Sequence, residues 1–479
     1  MLGFSKAFFL LCFAYSLFAQ NVIQLSLEEA EKIALKNNKP FMISKEHRKA
    51  EKESYLQSAS DLFPRISYSG SFTRTFDPSL VENVTNAALT FEKNLLIQKF
   101  QLIQPLLVTD LIFDFKEKKL SFKRAEEREE SVKNDLLFQV RDAYFYLLLQ
   151  QIALLIQKEN VEYLQAALEV EEGRYRFGNG TILEVNQSKV ATTNAISEYY
   201  ETVKLYKDAR NRLIHILGID PGLENQLSIS LCEFPLYGYD LLKEKLLYME
   251  KTFSYDPNTF PKEHQLILQE EVLTSNQTLS FFSREELDRY VYVALSLRPD
   301  LEMRRLSVDI ANEEVKKNRG HYFPVVTGFL DYTRNGGEPD ARFFSIDPFS
   351  WAVGVKFSWN IFDSLSRERK IRKSVYEKKS ASVEYTYAIQ TIETNIRNLL
   401  YQMEDSIYAY LTASSGVLVA EQAMVQAREK LQYGKIPPLD YRDAANQLAK
   451  AKNLRNRASY SLLLSYFLFR RTLGLDVVK

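Results

Sequence analysis

The sequence predicts a mainly α chain with a small β part, laid out twice on one plan of helix, strand pair and long helical hairpin. Three observations carry that expectation. The two halves correspond at a nearly fixed offset, each half holds segments of period-two alternation, and each holds helical stretches too long for a compact domain.

The correspondence is clearest around two glycines. Tyr175 to Glu184 aligns with Leu431 to Asp440, which places Gly178 on Gly434 and Glu184 on Asp440, 256 positions apart. The same offset pairs Arg141 with Arg397, Leu217-Gly218 with Leu473-Gly474, and Asp220 with Asp476. Earlier in each half, Leu62-Phe63-Pro64 matches Tyr322-Phe323-Pro324 and Ala34-Leu35 matches Ala294-Leu295, at an offset of 260. An offset sustained from Arg141 to Asp220 marks a duplicated unit.

Taken in order, residues 1–19 read as a secretory signal, with Lys6, an apolar run from Ala7 to Phe18, and Ala19 before the cleavage point. That run is too short to cross a bilayer core of about 30 Å. An uncleaved anchor is the alternative, and Cys12 raises a lipoprotein, although a bulky Leu11 precedes it. The first repeat, 20–220, opens with a helix that Ser26 and Glu29 start as a capping box. Pro40 is expected to kink this helix before it ends near Ser60. Its counterpart in the second repeat, 283–479, starts near Ser283 with Glu286 in the matching role. Phe63-Pro64 and Phe323-Pro324 close the two helices, because a residue before proline avoids helical backbone.

Strands follow. In Ile66 to Thr73, Ile66, Tyr68 and Phe72 alternate with Ser67, Ser69, Ser71 and Thr73. A weaker strand is expected at Phe100–Pro105, and another at Val325–Tyr332. Trp351 to Trp359 is the clearest: Trp351, Val353, Val355, Phe357 and Trp359 on one face, Ala352, Gly354, Lys356 and Ser358 on the other. A greasy face with aromatic ends suits lipid, whereas a soluble hairpin on a core is the plainer alternative. Four strands leave two open edges, which hydrocarbon does not tolerate, so a lipid-facing sheet must close with other copies of the chain.

Each half then turns helical for a long distance. From about Asp114 to Phe177 there is no proline and one glycine, Gly173, and roughly 60 residues at 1.5 Å each span about 90 Å. Leu136, Val140, Tyr144, Leu147 and Leu148 recur at helical spacing, as antiparallel coiled-coil hairpins require. Gly178-Asn179-Gly180 reverses the first hairpin; Gly434 with Pro437-Pro438 reverses the second. Residues 221–282, with Pro257 and Pro261, join the repeats and follow neither pattern.

Bulk properties remove other classes. Lys+Arg and Asp+Glu both number 62, so no polyanion partner is indicated. Beyond the signal only Cys232 remains, so no internal disulfide forms. The histidines at 47, 215, 264 and 321 lack metal-site spacing, and no phosphate-loop or nucleophile-elbow pattern occurs in context. Neither an enzyme nor a cofactor is expected, and the helical carboxylates read as a solvated face.

The duplicated order, Arg141 with Ala143-Tyr144, the tips from Tyr175 to Val190 and Leu431 to Leu448, and the Leu-Gly helix ends resemble the TolC family of outer-membrane factors. The resemblance implies a homotrimer: a roughly 12-stranded transmembrane β-barrel in the outer membrane, continuous with a periplasmic α-helical barrel. It implies an exit duct of a tripartite efflux or type I secretion system in a diderm bacterium. Substrates would pass from an inner-membrane pump through a periplasmic adaptor docked on the tips, at Gly178, Asn179, Gly180, Gly434 and Lys435. Residues 221–282 would belt the helical tube.

The same resemblance puts the gate of the closed entrance on Asp440 and Asp443, six and nine residues after the second tip glycine. At i and i+3 they share a helix face, and threefold repetition would stack two carboxylate rings. On the residues alone they read equally as solvated acids at a helix start, where the macrodipole favours them. Glu184 is a latch candidate. Ile436 stands where relatives place a basic residue, so Arg174, Arg176, Lys435 or Arg442 would have to supply the charge. The rival reading is a periplasmic coiled-coil adaptor or spacer without a pore, which has no use for a lipid-facing strand face in each half.

Overall fold

The computed structural model describes residues 23–74, 94–220, 227–229, 284–336, 349–433 and 435–475. The signal segment with Cys12, Gly434, Cys232, the Ser283 cap and most of 221–282 lie outside the described residues. The first repeat contains β1 (Ile23–Leu25), α1 (Leu27–Asn37), α2 (Lys39–Ser60), β2 (Arg65–Arg74), β3 (Asn94–Leu107), α3 (Thr109–Arg176) and α4 (Ile182–Leu217). After β4 (Leu227–Ile229) come α5 (Arg284–Leu297), α6 (Pro299–Gly320), β5 (Val325–Gly336), β6 (Phe349–Ser358), α7 (Ser366–Gln432) and α8 (Pro438–Leu473). The chain forms two compact units, and each draws residues from both repeats.

One unit comprises residues 1–44, 130–299 and 389–479. Its core takes Leu136, Val140, Ala143, Tyr144, Leu147 and Leu148 from α3, with Leu213 and Leu217 from α4 and Leu463 and Phe467 from α8. These positions recur at helical spacing, and burying each large apolar side chain contributes about 1.5–3 kcal/mol. Several polar groups at this core are paired. Arg141 meets Glu31 at 2.7 Å and lies over the Phe467 ring, and Tyr144 donates to the Leu25 carbonyl at 3.1 Å. Tyr460 donates to Asp142 and Arg212 bridges to the same carboxylate, so one anion ties α8, α3 and α4 together. Burial, then the bond to Asp142, pushes the Tyr460 phenol well above its ordinary value.

The expected capping box of Ser26 and Glu29 is present. Pro40 does not kink one helix. Asn38 ends α1 and its Oδ1 accepts the Phe41 N–H at 3.0 Å, so a new helix starts with Pro40 in its first turn. The second repeat breaks at the same place, between Leu297 and Pro299. A short parallel pair, β1 with β4, brings chain from the inter-repeat segment into this unit.

The hairpins end alike. At Gly218 the amide donates to His215 O and Ile219 to Ile214 O; at Gly474 the partners are Arg471 O and Arg470 O. Both glycines are left-handed, with φ 66° and 74°, and both press against the end of the repeat's first helix.

The other unit comprises residues 45–129 and 300–388 and holds one antiparallel sheet in the order β2-β3-β5-β6. The four expected strands form, with two corrections. β3 runs from Asn94 to Leu107 instead of Phe100 to Pro105, and the register slips between Pro105 and Leu107, where proline withholds its donor. Trp359 lies just past the end of β6, and its indole donates to the Tyr322 carbonyl at 3.1 Å.

Candidate functional site

In the helical unit the two tips use one backbone turn. At the first, Asn179 N–H reaches Arg174 O at 2.8 Å, Gly178 N–H reaches Tyr175 O at 3.1 Å, and Gly178 has φ 75°. This is a Schellman end, which needs a left-handed residue at Gly178. At the second, Lys435 N–H reaches Lys430 O at 2.8 Å, the same bond 256 positions on.

The helices that leave the tips start differently. Thr181 and Glu184 form a complete capping box on α4, with Glu184 accepting the Thr181 N–H at 2.8 Å. Thr181's amide, then its hydroxyl, holds the Glu184 carboxyl below the usual range. On α8 the cap is Pro437, which offers no side-chain bond, and Pro438 fills the first helical position. Asp440 and Asp443 are both exposed on the first two turns of α8, while Pro438 before them and Tyr441 between them are buried. Ile436 packs against the apolar cluster of Ala167, Met424, Ala427, Tyr441, Ala445 and Leu448. The position the resemblance leaves without its charge is thus a hydrophobic contact.

Among the candidate basic groups, Arg174 donates to the Asn179 carbonyl at 3.3 Å and so braces its own turn. Lys435 is exposed, with its Nζ 5.6 Å from the Tyr433 ring. A Cβ on Gly180 would come within 3.2 Å of Arg174 Cβ, so this glycine lets the chain pass close to α3. Arg442 is half-buried and interacts electrostatically with Glu171.

Glu171 is the residue that the sequence did not single out. It lies in the last turns of α3, is 5 % exposed, and its nearest cation is Arg174 at 3.8 Å, too far for a hydrogen bond. Burial pushes its carboxyl above the usual range against the opposing pull of Arg174 and Arg442, with Glu184 adding repulsion. Charge on Glu171 therefore opposes the packed tip. An acid on a long helix looks like any solvated acid in the sequence; only its burial distinguishes it.

In the other unit, the sheet separates two kinds of side chain. Tyr68, Phe100, Tyr332 and Trp351 stand in register across all four strands, and Ile66, Leu102, Leu330 and Val353 form the next such row. Neighbouring rings in the aromatic row approach to 4.6 Å and 6.4 Å between centroids. Trp351, Val353, Val355 and Phe357 are each more than 60 % exposed, so none of the described residues covers the β6 part of this face. The other face carries Ser67, Gln101, Asp331 and Ala352 in one row and Ser69, Lys99, Thr333 and Ser350 in the next. Lys99 meets Asp331 there at 2.9 Å. Among the described residues no helix is long and apolar enough to cross a membrane, and no group of three or more His, Cys, Asp or Glu is placed to hold a metal ion.

A family profile described as outer membrane efflux protein matches residues 116–219 and 290–474, more than half of the chain. Several solved structures are similar in fold. The Campylobacter jejuni CmeC outer membrane channel is 17 % identical, with TM-score 0.72, over 94 % of this chain and 85 % of that one. The outer membrane protein VceC of Vibrio cholerae is 15 % identical, with TM-score 0.72, over 94 % and 96 %. CusC, a transmembrane channel, is 15 % identical, with TM-score 0.73, over 95 % and 93 %.

Proposed function

The chain belongs to the outer membrane efflux protein family, and on that premise we propose that three copies close one channel whose entrance is set by the tips of α3–α4 and α7–α8. It is an outer-membrane duct protein of an efflux system and not an enzyme. The observation that carries the assembly is the sheet: one largely exposed apolar face, one polar face, and open edges at β2 and β6.

An open sheet edge is untenable in hydrocarbon, and fewer than about eight strands do not close a barrel. β2 and β6 run in opposite directions, so β6 of one copy can pair antiparallel with β2 of the next. Three copies supply about twelve strands, with the apolar rows toward lipid and the Lys99–Asp331 face toward a wet lumen. The repeats, 20–220 and 283–479, each contribute half the protomer's sheet and one hairpin. The hairpins form the periplasmic conduit, which receives cargo from an inner-membrane pump through an adaptor seated on Gly178, Asn179, Gly180, Gly434 and Lys435.

Asp440 and Asp443 line the entrance as two stacked rings of exposed carboxylates and attract cations there. Glu184 serves the first hairpin's own start, so the contact that holds the tips together runs through the apolar seat of Ile436, with the buried Glu171 charge opposing it beside Arg174 and Arg442. Detergent-extracted particles of the whole chain test both parts. Light scattering with the detergent subtracted should give about three chains per particle, and Asp440→Asn with Asp443→Asn should raise single-channel conductance or weaken cation preference. A monomer would end the shared barrel; unchanged conductance and selectivity would remove the two aspartates from the gate.

A further inference from the structure

The junction between β6 and α7 holds exposed apolar side chains beside a basic run. Ile361, Phe362 and Leu365 are 73, 76 and 56 % exposed, with Phe63 and Phe323 open beside the Phe-Pro turns of the same unit. The backbone takes an uncommon shape here: Ser364 and Leu365 are both left-handed, at φ 57° and 66°, a conformation that non-glycine residues disfavour. Arg367, almost fully buried, holds the segment in place. Its guanidinium donates to the carbonyls of His321, Asn360 and Ile361 and lies 4.3 Å from the Tyr322 ring centroid, and its amide donates to Asp363.

A charge pattern of the opposite kind to the helix's own preference follows at once. The first turns of a helix favour acids, because the macrodipole is positive there. α7 instead opens with Arg367, Arg369, Lys370, Arg372 and Lys373 within seven residues. The one acid among them, Glu368, accepts the Tyr322 hydroxyl at 3.0 Å. Arg369, Lys370, Arg372 and Lys373 are exposed, and Lys373 is 3.5 Å from Glu377, which leaves the group strongly positive. Cations crowded onto the positive end of a helix, next to greasy side chains held outward, gain from an anionic partner with an apolar interior.

We propose that this junction, with Ile361, Phe362 and Leu365 as the apolar part and Arg369, Lys370, Arg372 and Lys373 as the charged part, docks on anionic phospholipid headgroups at the edge of the bilayer that the sheet spans. The proposal rests on the membrane-spanning reading of the sheet. Continuity supports the choice of occupant. Trp351 to Phe357 face outward along β6, and the junction is the next covalent segment, where interface aromatics and snorkelling cations belong. Surface cations near such a headgroup layer favour anionic lipid, and the attraction is screened by salt.

The test uses whole protein, purified in detergent and mixed with equal amounts of phosphatidylglycerol and phosphatidylcholine, with retained lipid counted by native mass spectrometry. Wild type should retain phosphatidylglycerol severalfold over phosphatidylcholine, and high salt during loading should erase the preference. The variant R369Q/K370Q/R372Q/K373Q should lose it while still inserting and conducting in planar bilayers; K370Q/K373Q, the milder change, should lose about half. Equal retention of the two lipids by conducting wild type, or a preference unmoved in both variants, overturns the proposal. So does a change in particle mass with lipid preference intact, which would make the run a contact between copies. Wild type that neither inserts nor conducts would instead remove the membrane reading beneath it.

Discussion

The two hairpin tips share a turn and part company one residue later. Both end their first helix with the same backbone bond, Asn179 to Arg174 and Lys435 to Lys430. At the first, Thr181 and Glu184 satisfy each other, so the acid in the third helical position is consumed by the helix start. At the second, Pro437 makes no such bond, and the equivalent acid, Asp440, remains exposed. One position thus serves structure in one repeat and presents charge in the other. The lesson is that equivalence in a duplicated chain fixes geometry and leaves side-chain work open, and that the cap decides which work is done.

The largest effect that would separate the repeats lies at their closing glycines. A Cβ on Gly218 would fall 2.5 Å from the Asn37 carbonyl oxygen, against 3.0 Å between Gly474 and Leu297 O. Both substitutions also force alanine into left-handed backbone. Gly218→Ala should cost ~2–3 kcal/mol and Gly474→Ala about 1 kcal/mol less, read from thermal unfolding. Equal losses would mean that backbone conformation, not the close approach, sets the cost. Next come the caps: Thr181→Ala should destabilise the start of α4 by ~1 kcal/mol, whereas Pro437→Ala should move α8 by only a few tenths. Amide exchange over residues 182–190 and 438–446 would report each separately, and matching losses would break the contrast.

The smallest expected effect concerns Glu171, which faces Arg174 on its own helix, Glu184 on α4 and Arg442 on α8. Its carboxyl is raised by burial, so the packed tip binds the proton more tightly than the opened one does. The Glu171 contribution to packing is therefore most favourable in acid and is lost as pH climbs from the ordinary glutamate value of 4.5 through the raised one. It is opposite in sign to that of Glu184, whose lowered carboxyl favours the tip above its own value. Glu171→Gln should keep exchange protection at residues 165–176 on the alkaline side of that window. A variant that tracks wild type at every pH would show that this charge does not load the tip.

Much of the architecture was legible because the physics is periodic. Ser26 with Glu29, the Phe-Pro stops and the Leu-Gly ends are local signals, and each acts within a turn or two of where it is written. Period two located β2, β5 and β6, but β3 was underestimated, because Leu95-Leu96-Ile97 breaks alternation and Pro105 sits at a bulge. Pro40 drew attention from Asn38, whose side chain ends one helix and starts the next. β1 and β4, three residues each, are too short for any pattern. At the tips, the resemblance alone pointed to Asp440 and Asp443 as gate candidates. Glu171 was not singled out, because its burial is a tertiary property and the Arg442 charge it meets on α8 lies more than 250 residues away in the chain.

β3 and β5 pair across the boundary between the two repeats. A half-length ancestor would have met another chain at that boundary, and every hairpin in the ring would have been identical. Joining two halves by a peptide link makes alternate seams permanent and lets neighbouring hairpins specialise. Acid can then sit on every second hairpin only, which spaces the carboxylates of a ring further apart and eases their mutual repulsion when the mouth is narrow. Under the proposed gate of Asp440 and Asp443, duplication dilutes exposed charge around the mouth without widening it.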